Sequence, residues 1–268
     1  MTTSPLADGA HFTRAFVRPP GASFAAGLTE AGLGAPDLVL ARRQHAAYCA
    51  ALERCGLALT VLPVDDEFPD STFVEDTAIL RADVAILTRP GAVARAGEVA
   101  RVAPALRQTF VQVRSIEAPG TVDGGDVCQA GTHFLIGLSE RTNADGARQL
   151  AALLAQSGCS ADTIDIRDWR DIGILHLKSA LTYLGAGRLA VMAALAAHPA
   201  LERFQRLLVA PDETYAANCL RLNDTVLIAA GFPRFAADLG ALGIATIALD
   251  MSEFRKMDGA LTCLSLRF

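Results

Sequence analysis

Cys263 stands in the last apolar stretch of the chain, Leu261-Thr262-Cys263-Leu264-Ser265-Leu266, just after the turn-forming pair Asp258-Gly259. Leu261, Leu264 and Leu266 supply the packing a strand there needs, so the thiol among them is the feature to explain. A free cysteine on its own is commonly a small buried hydrophobe. A thiol that attacks carbon needs a proton-transfer partner. His176, flanked by leucines in Leu175-His176-Leu177-Lys178-Ser179, carries an imidazole whose unperturbed pKa of about 6.5 suits that work. Taken singly it reads as a satisfied core histidine; brought together with Cys263, it makes a nucleophile and an acid/base.

Carboxylates sit where apolar packing is expected. Glu75 and Asp76 interrupt the run from Phe73 to Leu80, and Asp123 and Asp126 flank the glycines of Thr121-Val122-Asp123-Gly124-Gly125-Asp126-Val127. Burying such charges costs free energy unless something compensates them, and a cationic ligand would. Asp126, beside Gly-Gly, is equally at home as a turn former.

The elements that must position these groups alternate along the chain. Strand-turn-strand units are expected at Phe73–Pro90, at Gly124–Gly137, at Leu175–Ala193 turning on Gly185-Ala186-Gly187, and at Asn218–Ala230 turning on Asn223-Asp224. The final strand, Leu261–Phe268, has no partner nearby, but His11–Val17 has strand character, and pairing the two termini would complete a fifth unit. Helices are expected over Asp37–Cys55, about Gly97–Thr109, Asn143–Gln156 with Asn143 as cap, and about Pro233–Leu242. Strand pairs alternating with helices around a closed ring form an α/β propeller, although the hydrophobic pattern also fits an open α/β sheet. No linker or low-complexity tract divides residues 1–268, which read as one domain.

Composition bounds the rest. With 268 residues, 51% hydrophobic and 20% charged, the chain can bury a full core. A net charge of −5 without a basic run argues against nucleic acid or an anionic membrane as partner. The segment Met1–Ala10 lacks the basic start and apolar stretch of a secretion signal, so the default location is cytoplasmic. Six cysteines without Cys-x-x-Cys spacing read as reduced thiols, with Cys128 and Cys219 as core residues; with five histidines in no ligand spacing, no metal and no cofactor is expected.

Six segments, in order, FPDSTFVED (68–76), GTVDGGDV (120–127), GLSERTN (137–143), LHLKS (175–179), AANC (216–219) and KMDGALTC (256–263), together resemble the dimethylarginine dimethylaminohydrolases. The resemblance runs from about residue 11 to the end. It implies a five-bladed α/β propeller of pseudo-fivefold symmetry, built from ββαβ-type modules, with the N- and C-terminal strands closing the ring. It implies hydrolysis of methylated arginines to citrulline and an amine. Cys263 would be the nucleophile, forming a thiouronium, and His176 the general acid and base, with Asp123 assisting. Glu75, Asp76 and Asp123 would hold the guanidinium. Arg95 and Arg141 would hold the α-carboxylate, and Asp70 with the backbone carbonyls of Leu28 and Met257 would receive the α-ammonium. The chain departs from some members in carrying Asp123 for Glu and Gly124 for Ala, an acid one methylene shorter. The segment Gly21–Leu28 is a candidate lid.

Rivals are a hydrolase or deiminase of arginine or another guanidine, an amidino-group transferase, and a non-catalytic propeller that binds a partner. The pair Arg95 and Arg141 disfavours agmatine, and a pure binding module needs neither Cys263 nor His176. The small-molecule partner expected is a methylated arginine; a homodimer is left open.

Overall fold

Four times along the chain the same unit recurs: a short helical turn, an inner strand, a tight hairpin to a middle strand, and an outer strand that returns parallel to the middle one; the two termini together make a fifth without the hairpin. The computed structural model describes residues 11–81 and 83–268. The segment Met1–Ala10, read above for a secretion signal, and Ala82 lie outside these.

From the amino end, β1 (Arg14–Val17) is followed by α1 (Leu38–Arg54) and β2 (Ala58–Val61). The second unit is β3 (Ala78–Arg81), β4 (Val84–Leu87), α2 (Glu98–Thr109) and β5 (Gln112–Ser115); the third is β6 (Val127–Ala130), β7 (His133–Leu138), α3 (Ala144–Gln156) and β8 (Ser160–Asp165). The fourth begins with a one-turn helix, α4 (Leu177–Ala180), and continues through β9 (Leu181–Gly185), β10 (Arg188–Met192) and β11 (Gln205–Val209). The fifth is β12 (Leu220–Leu222), β13 (Thr225–Ala229), α5 (Pro233–Ala241) and β14 (Ala245–Leu249). After α6 (Ser252–Arg255), β15 (Ser265–Arg267) returns to pair antiparallel with β1, Ala15 opposite Arg267 and Val17 opposite Ser265. The termini thus complete the first sheet in the order β15-β1-β2, and each of the five sheets has three strands.

Alternation along the strands joins the sheets. Ala15 and Val17 of β1 pack into one core cluster while Phe16 between them packs into the next; Ala78 and Leu80 face one neighbour and Ile79 the other. Successive side chains point to opposite faces, so each sheet seals against both neighbours. The inner strands β3, β6, β9, β12 and β15 surround the axis, β6 against β9, β9 against β12 and β15 against β3.

Helix starts follow side-chain chemistry. Asp37 accepts from Leu40 N at 3.0 Å to cap α1. Asn143 accepts from Gly146 N at 2.8 Å to cap α3 and also from Thr121 N at 3.0 Å, tying that helix to the acidic loop. No helix among the described residues is long and apolar enough to cross a membrane.

Three expectations are corrected. Glu75 and Asp76 lie in a 3₁₀ turn, Val74–Thr77, ahead of β3 rather than within a strand. His176 is the residue capping α4, and Cys263 lies in a 3₁₀ turn, Thr262–Leu264, ahead of β15. In each case the turn keeps an apolar residue facing the core (Val74, Leu177, Leu264), so the hydrophobic run continues unbroken and conceals the change of conformation.

Candidate active site

The turn before each inner strand is the place where the fold gathers its polar groups. Glu75 and Asp76 occupy the one before β3, Asp123 precedes Gly124–Asp126 before β6, His176 precedes α4, Asn218 follows Thr214–Ala217 before β12, and Cys263 sits in the last. Five equivalent positions around one axis bring residues far apart in sequence to one end of the ring.

There, two adjoining cavities of about 40 and 270 Å³ share a wall formed by Leu175, His176, Asp258 and Cys263. The smaller is completed by Leu28, Asp70, Phe73, Asp76, Arg95, Arg141, Met257 and Gly259. The larger runs past Cys263 toward Met192, Tyr215 and Arg255. Leu28, Asp70, Asp76, Arg95, Arg141, His176, Met257 and Cys263 are thereby brought together; Asp123 and Glu75 stand behind them.

Asp123 is wholly buried. Its Oδ2 lies 3.3 Å from His176 Nε2, and its Oδ1 accepts from Gly91 N at 2.9 Å. The acid therefore addresses the imidazole. His176 N donates to Ser179 Oγ, and Leu177 N donates to Asp126 Oδ1 at 3.0 Å, so Asp126, also held by Ser139 Oγ at 2.6 Å, anchors the histidine's helix. Burial alone would lower the His176 pKa, but the carboxylates of Asp126, Asp123 and Asp76 overcome it and raise it to about 9. Burial, partly offset by His176, pushes Asp126 up to about 6.

Cys263 is half-buried, and desolvation, reinforced by the charges of Glu75 and Asp76, pushes its thiol up to about 12. The resting pair is thus thiol and imidazolium. The Cys263 turn is fixed by Thr262 N donating to Asn218 Oδ1 at 3.1 Å and by Tyr215 Oη donating to Gly259 O at 2.9 Å.

Asp76 accepts from Gly125 N at 2.7 Å and pairs with Arg95 Nη1 at 2.6 Å. Burial opposes its ionisation, yet Arg95 and His176 hold its carboxyl at about 2. Arg95 is itself buried, and Nε and Nη2 bind Glu98 at 2.9 and 2.7 Å. Its guanidinium is thereby engaged, while the Arg141 side chain at the cavity wall has no hydrogen bond or ion pair among the described residues. Asp70, raised by burial, accepts from Leu28 N at 3.0 Å.

Glu75 departs furthest from its expected place. Its Oε1 is shared by Lys178 Nζ and Arg267 Nη2, each at 2.6 Å, and it does not line the Cys263 cavities. Lys178, Arg267 and Glu98 are the residues that sequence reasoning passes over. The signal is present: a lysine in LHLKS, an arginine in LSLRF and a glutamate three residues after Arg95, each a charge beside an apolar run.

Donor atoms of Asp76, Asp123 and His176 lie within 4.8 Å of one another, the only group among the described residues spaced to hold a metal ion. Their lone pairs already face Gly125, Arg95, Gly91 and each other, an arrangement that presents anionic charge to the cavity without needing a cation in their midst. The candidate lid is pinned at Phe24, which is buried against Phe73 and Phe254, with ring centroids 6.1 and 5.6 Å away. Leu28, beyond it, is 42% exposed at the cavity edge. Cys128 and Cys219 are core thiols, pushed by burial to about 11 and about 12.

Comparison with known proteins agrees with this geometry. A family model described as arginine deiminase matches residues 100–213. N(G),N(G)-dimethylarginine dimethylaminohydrolase of Pseudomonas aeruginosa is 41% identical over 258 residues, covering 96% of this chain and all of the relative. A solved structure of the P. aeruginosa enzyme, a cysteine-to-serine variant complexed with citrulline, superposes with a TM-score of 0.93 at 40% identity, covering 97% of this chain and 100% of the other. A second, an adduct of a histidine-to-glycine variant with S-methyl-L-thiocitrulline, gives 0.92 at 41% identity, covering 96% and 100%. The chain belongs to the dimethylarginine dimethylaminohydrolase family.

Proposed function

We propose that this chain hydrolyses Nω-methylated arginines to citrulline and methylamine or dimethylamine. The observation that carries the reading is the position of Cys263 and His176 on the wall between two cavities. On one side Arg141 and Asp70 suit an amino acid's carboxylate and ammonium. On the other, about 270 Å³ is open to whatever the guanidine nitrogen carries, room that unsubstituted arginine does not need.

In this reading Cys263 Sγ bonds to the guanidinium carbon. The bond from that carbon to the methylated nitrogen breaks, and the His176 imidazolium gives its proton to the departing amine. The neutral imidazole then takes a proton from water as the oxygen attacks the thiouronium carbon. The C–S bond breaks, releasing citrulline and restoring the thiol. Asp123 orients the imidazole, and Asp76 faces the substrate cation. Arg95 holds Asp76 ionised, and Arg141 takes the α-carboxylate.

The thiol must ionise first, and because His176 already carries a proton, the thiol's proton goes to solvent. A pKa of about 12 makes the thiolate cost roughly 7 kcal/mol at neutral pH. A guanidinium about 4 Å from the sulfur returns on the order of 4 kcal/mol at an effective dielectric near 20, so the substrate's own charge supplies over half of the activation. The six free cysteines suit a reducing compartment such as the cytoplasm.

The test is citrulline formation from asymmetric dimethylarginine, monomethylarginine and arginine side by side, without added metal, with Cys263→Ser as control. Turnover of the methylated substrates alone is expected. Turnover of arginine alone would move the reading to a deiminase.

A further inference from the structure

A second cavity lies on the axis behind the catalytic turns, and all five inner strands line it: Ile79, Cys128, Thr182, Leu220 and Leu266 each contribute. Among its more exposed lining residues are the half-buried Phe12 and Gln129. Its volume of about 120 Å³ is roughly ten times the 10–15 Å³ that one water needs, which is room for a molecule of about eight to ten heavy atoms.

Its walls mix apolar side chains, Ile79, Leu80 and Phe134 among them, with hydroxyls and charged groups. Thr182 Oγ1 and Thr262 Oγ1 are buried there without a hydrogen-bond partner, and these residues are 6% and 2% exposed. Lys178 and Arg267 both line the cavity and share one oxygen of a single carboxylate, Glu75, and Arg221 lines it as a third cation. Arg267 Nη1 is occupied by Thr262 O, Ser265 O and Ser265 Oγ. Lys178 Nζ has three donors and gives one to Glu75, which leaves two. Unpaired buried hydroxyls and an under-used buried ammonium are each costly, and one ligand with a single negative end resolves all three. A bare phosphate has no apolar body for Ile79, Leu80 and Phe134.

We infer that this axial cavity binds a small monocarboxylate, its apolar body among Ile79, Leu80 and Phe134 and its carboxylate on Lys178 and the threonine hydroxyls. Lys178 lines this cavity and also the larger catalytic one, and Thr262 is bonded to Cys263. An anion on Lys178 offsets the cation that favours the Cys263 thiolate, so occupancy slows the nucleophile without touching the arginine site. That consequence, unlike the binding, rests on Cys263 being the nucleophile.

The probes are benzoate and hexanoate, titrated calorimetrically into the purified protein with and without saturating citrulline. Saturable one-to-one binding is expected, unchanged by citrulline and weakened about tenfold or more by Gln129→Trp and by Thr182→Leu. Alkylation of Cys263 by iodoacetamide, followed on its own peptide by mass spectrometry, should slow about threefold when the site is filled. Because neither readout needs turnover, failure of methylarginine hydrolysis leaves both interpretable. No saturable binding, binding displaced by citrulline, or binding indifferent to both variants overturns the site, and binding without slower alkylation overturns the coupling.

Discussion

Nε2 of His176 stands 3.3 Å from Oδ2 of Asp123, an acid with no solvent exposure that is fixed from its other side by Gly91 N. With Asp126 and Asp76 nearby, three carboxylates hold a proton on one imidazole. Because the thiol must lose its proton while His176 keeps one, kcat/KM should rise with pH from neutrality and level off at about 9, where further gain in thiolate is cancelled by loss of imidazolium. Asp126→Asn keeps the acceptor for Leu177 N but removes the largest of the three charges on His176. It should move that break down by about one unit, ~1.4 kcal/mol of lost interaction. A break that stays in place would separate Asp126 from the histidine's charge. The sign for stability follows: the raised His176 pKa stabilises the fold fully below about 6.5, and that contribution is lost as pH passes through about 9, which pH-dependent thermal melts of the wild type and Asp126→Asn compare.

Cys263→Ser should abolish citrulline formation with circular dichroism and Tm close to wild type, whereas His176→Ala should nearly abolish it and also lower Tm, because it leaves the buried Asp123 without its imidazolium. Cys263 borders both cavities and serine is close to it in size, so that variant keeps the surrounding packing. Residual turnover near wild type in Cys263→Ser would falsify the covalent mechanism.

The two arginines should separate cleanly. Arg141→Ala, at the cavity wall and without an ion pair among the described residues, should raise KM at least about tenfold with little change in Tm. Arg95→Ala strands Asp76 and Glu98, both buried, and should cost about 3–5 kcal/mol in denaturant unfolding. An Arg95→Ala protein of normal stability with raised KM alone would return Arg95 to the substrate carboxylate.

Much of this is legible in the chain because hairpins announce themselves locally. Gly185-Ala186-Gly187 and Asn223-Asp224 sit in hairpin turns, where Ala186 and Asn223 take positive φ, and Asn143 caps its helix as its type predicts. What stays hidden has two physical sources. The 3₁₀ turns at Val74–Thr77 and Thr262–Leu264 bury apolar residues just as a strand end would, so periodicity cannot distinguish them. Ion pairs such as Glu75 with Arg267, 192 residues apart, depend on closing the ring, and no local pattern reports them. Sequence alone makes Glu75 a substrate ligand because it adjoins Asp76, whereas consecutive residues on the turn send their carboxylates to different sides of it: Asp76 to the catalytic cavity and Glu75 to the axial one.

Two glycines test how closely the catalytic turns are packed. A Cβ on Gly125 would lie 2.9 Å from His176 Cγ and 3.1 Å from Asp76 Oδ1, so Gly125→Ala must displace the imidazole or the acid. Misplacement of about 1 Å can cost on the order of a hundredfold in rate, and kcat should fall by about that much while substrate affinity changes less. Gly158, just past α3, has φ of +73° and a Cβ there would meet nothing within 4 Å, so Gly158→Ala strains the backbone by about 1–2 kcal/mol and touches nothing. It should lower Tm and leave kcat intact. Equal kcat losses in the two variants would mean that stability, and not the fit around His176, sets the rate.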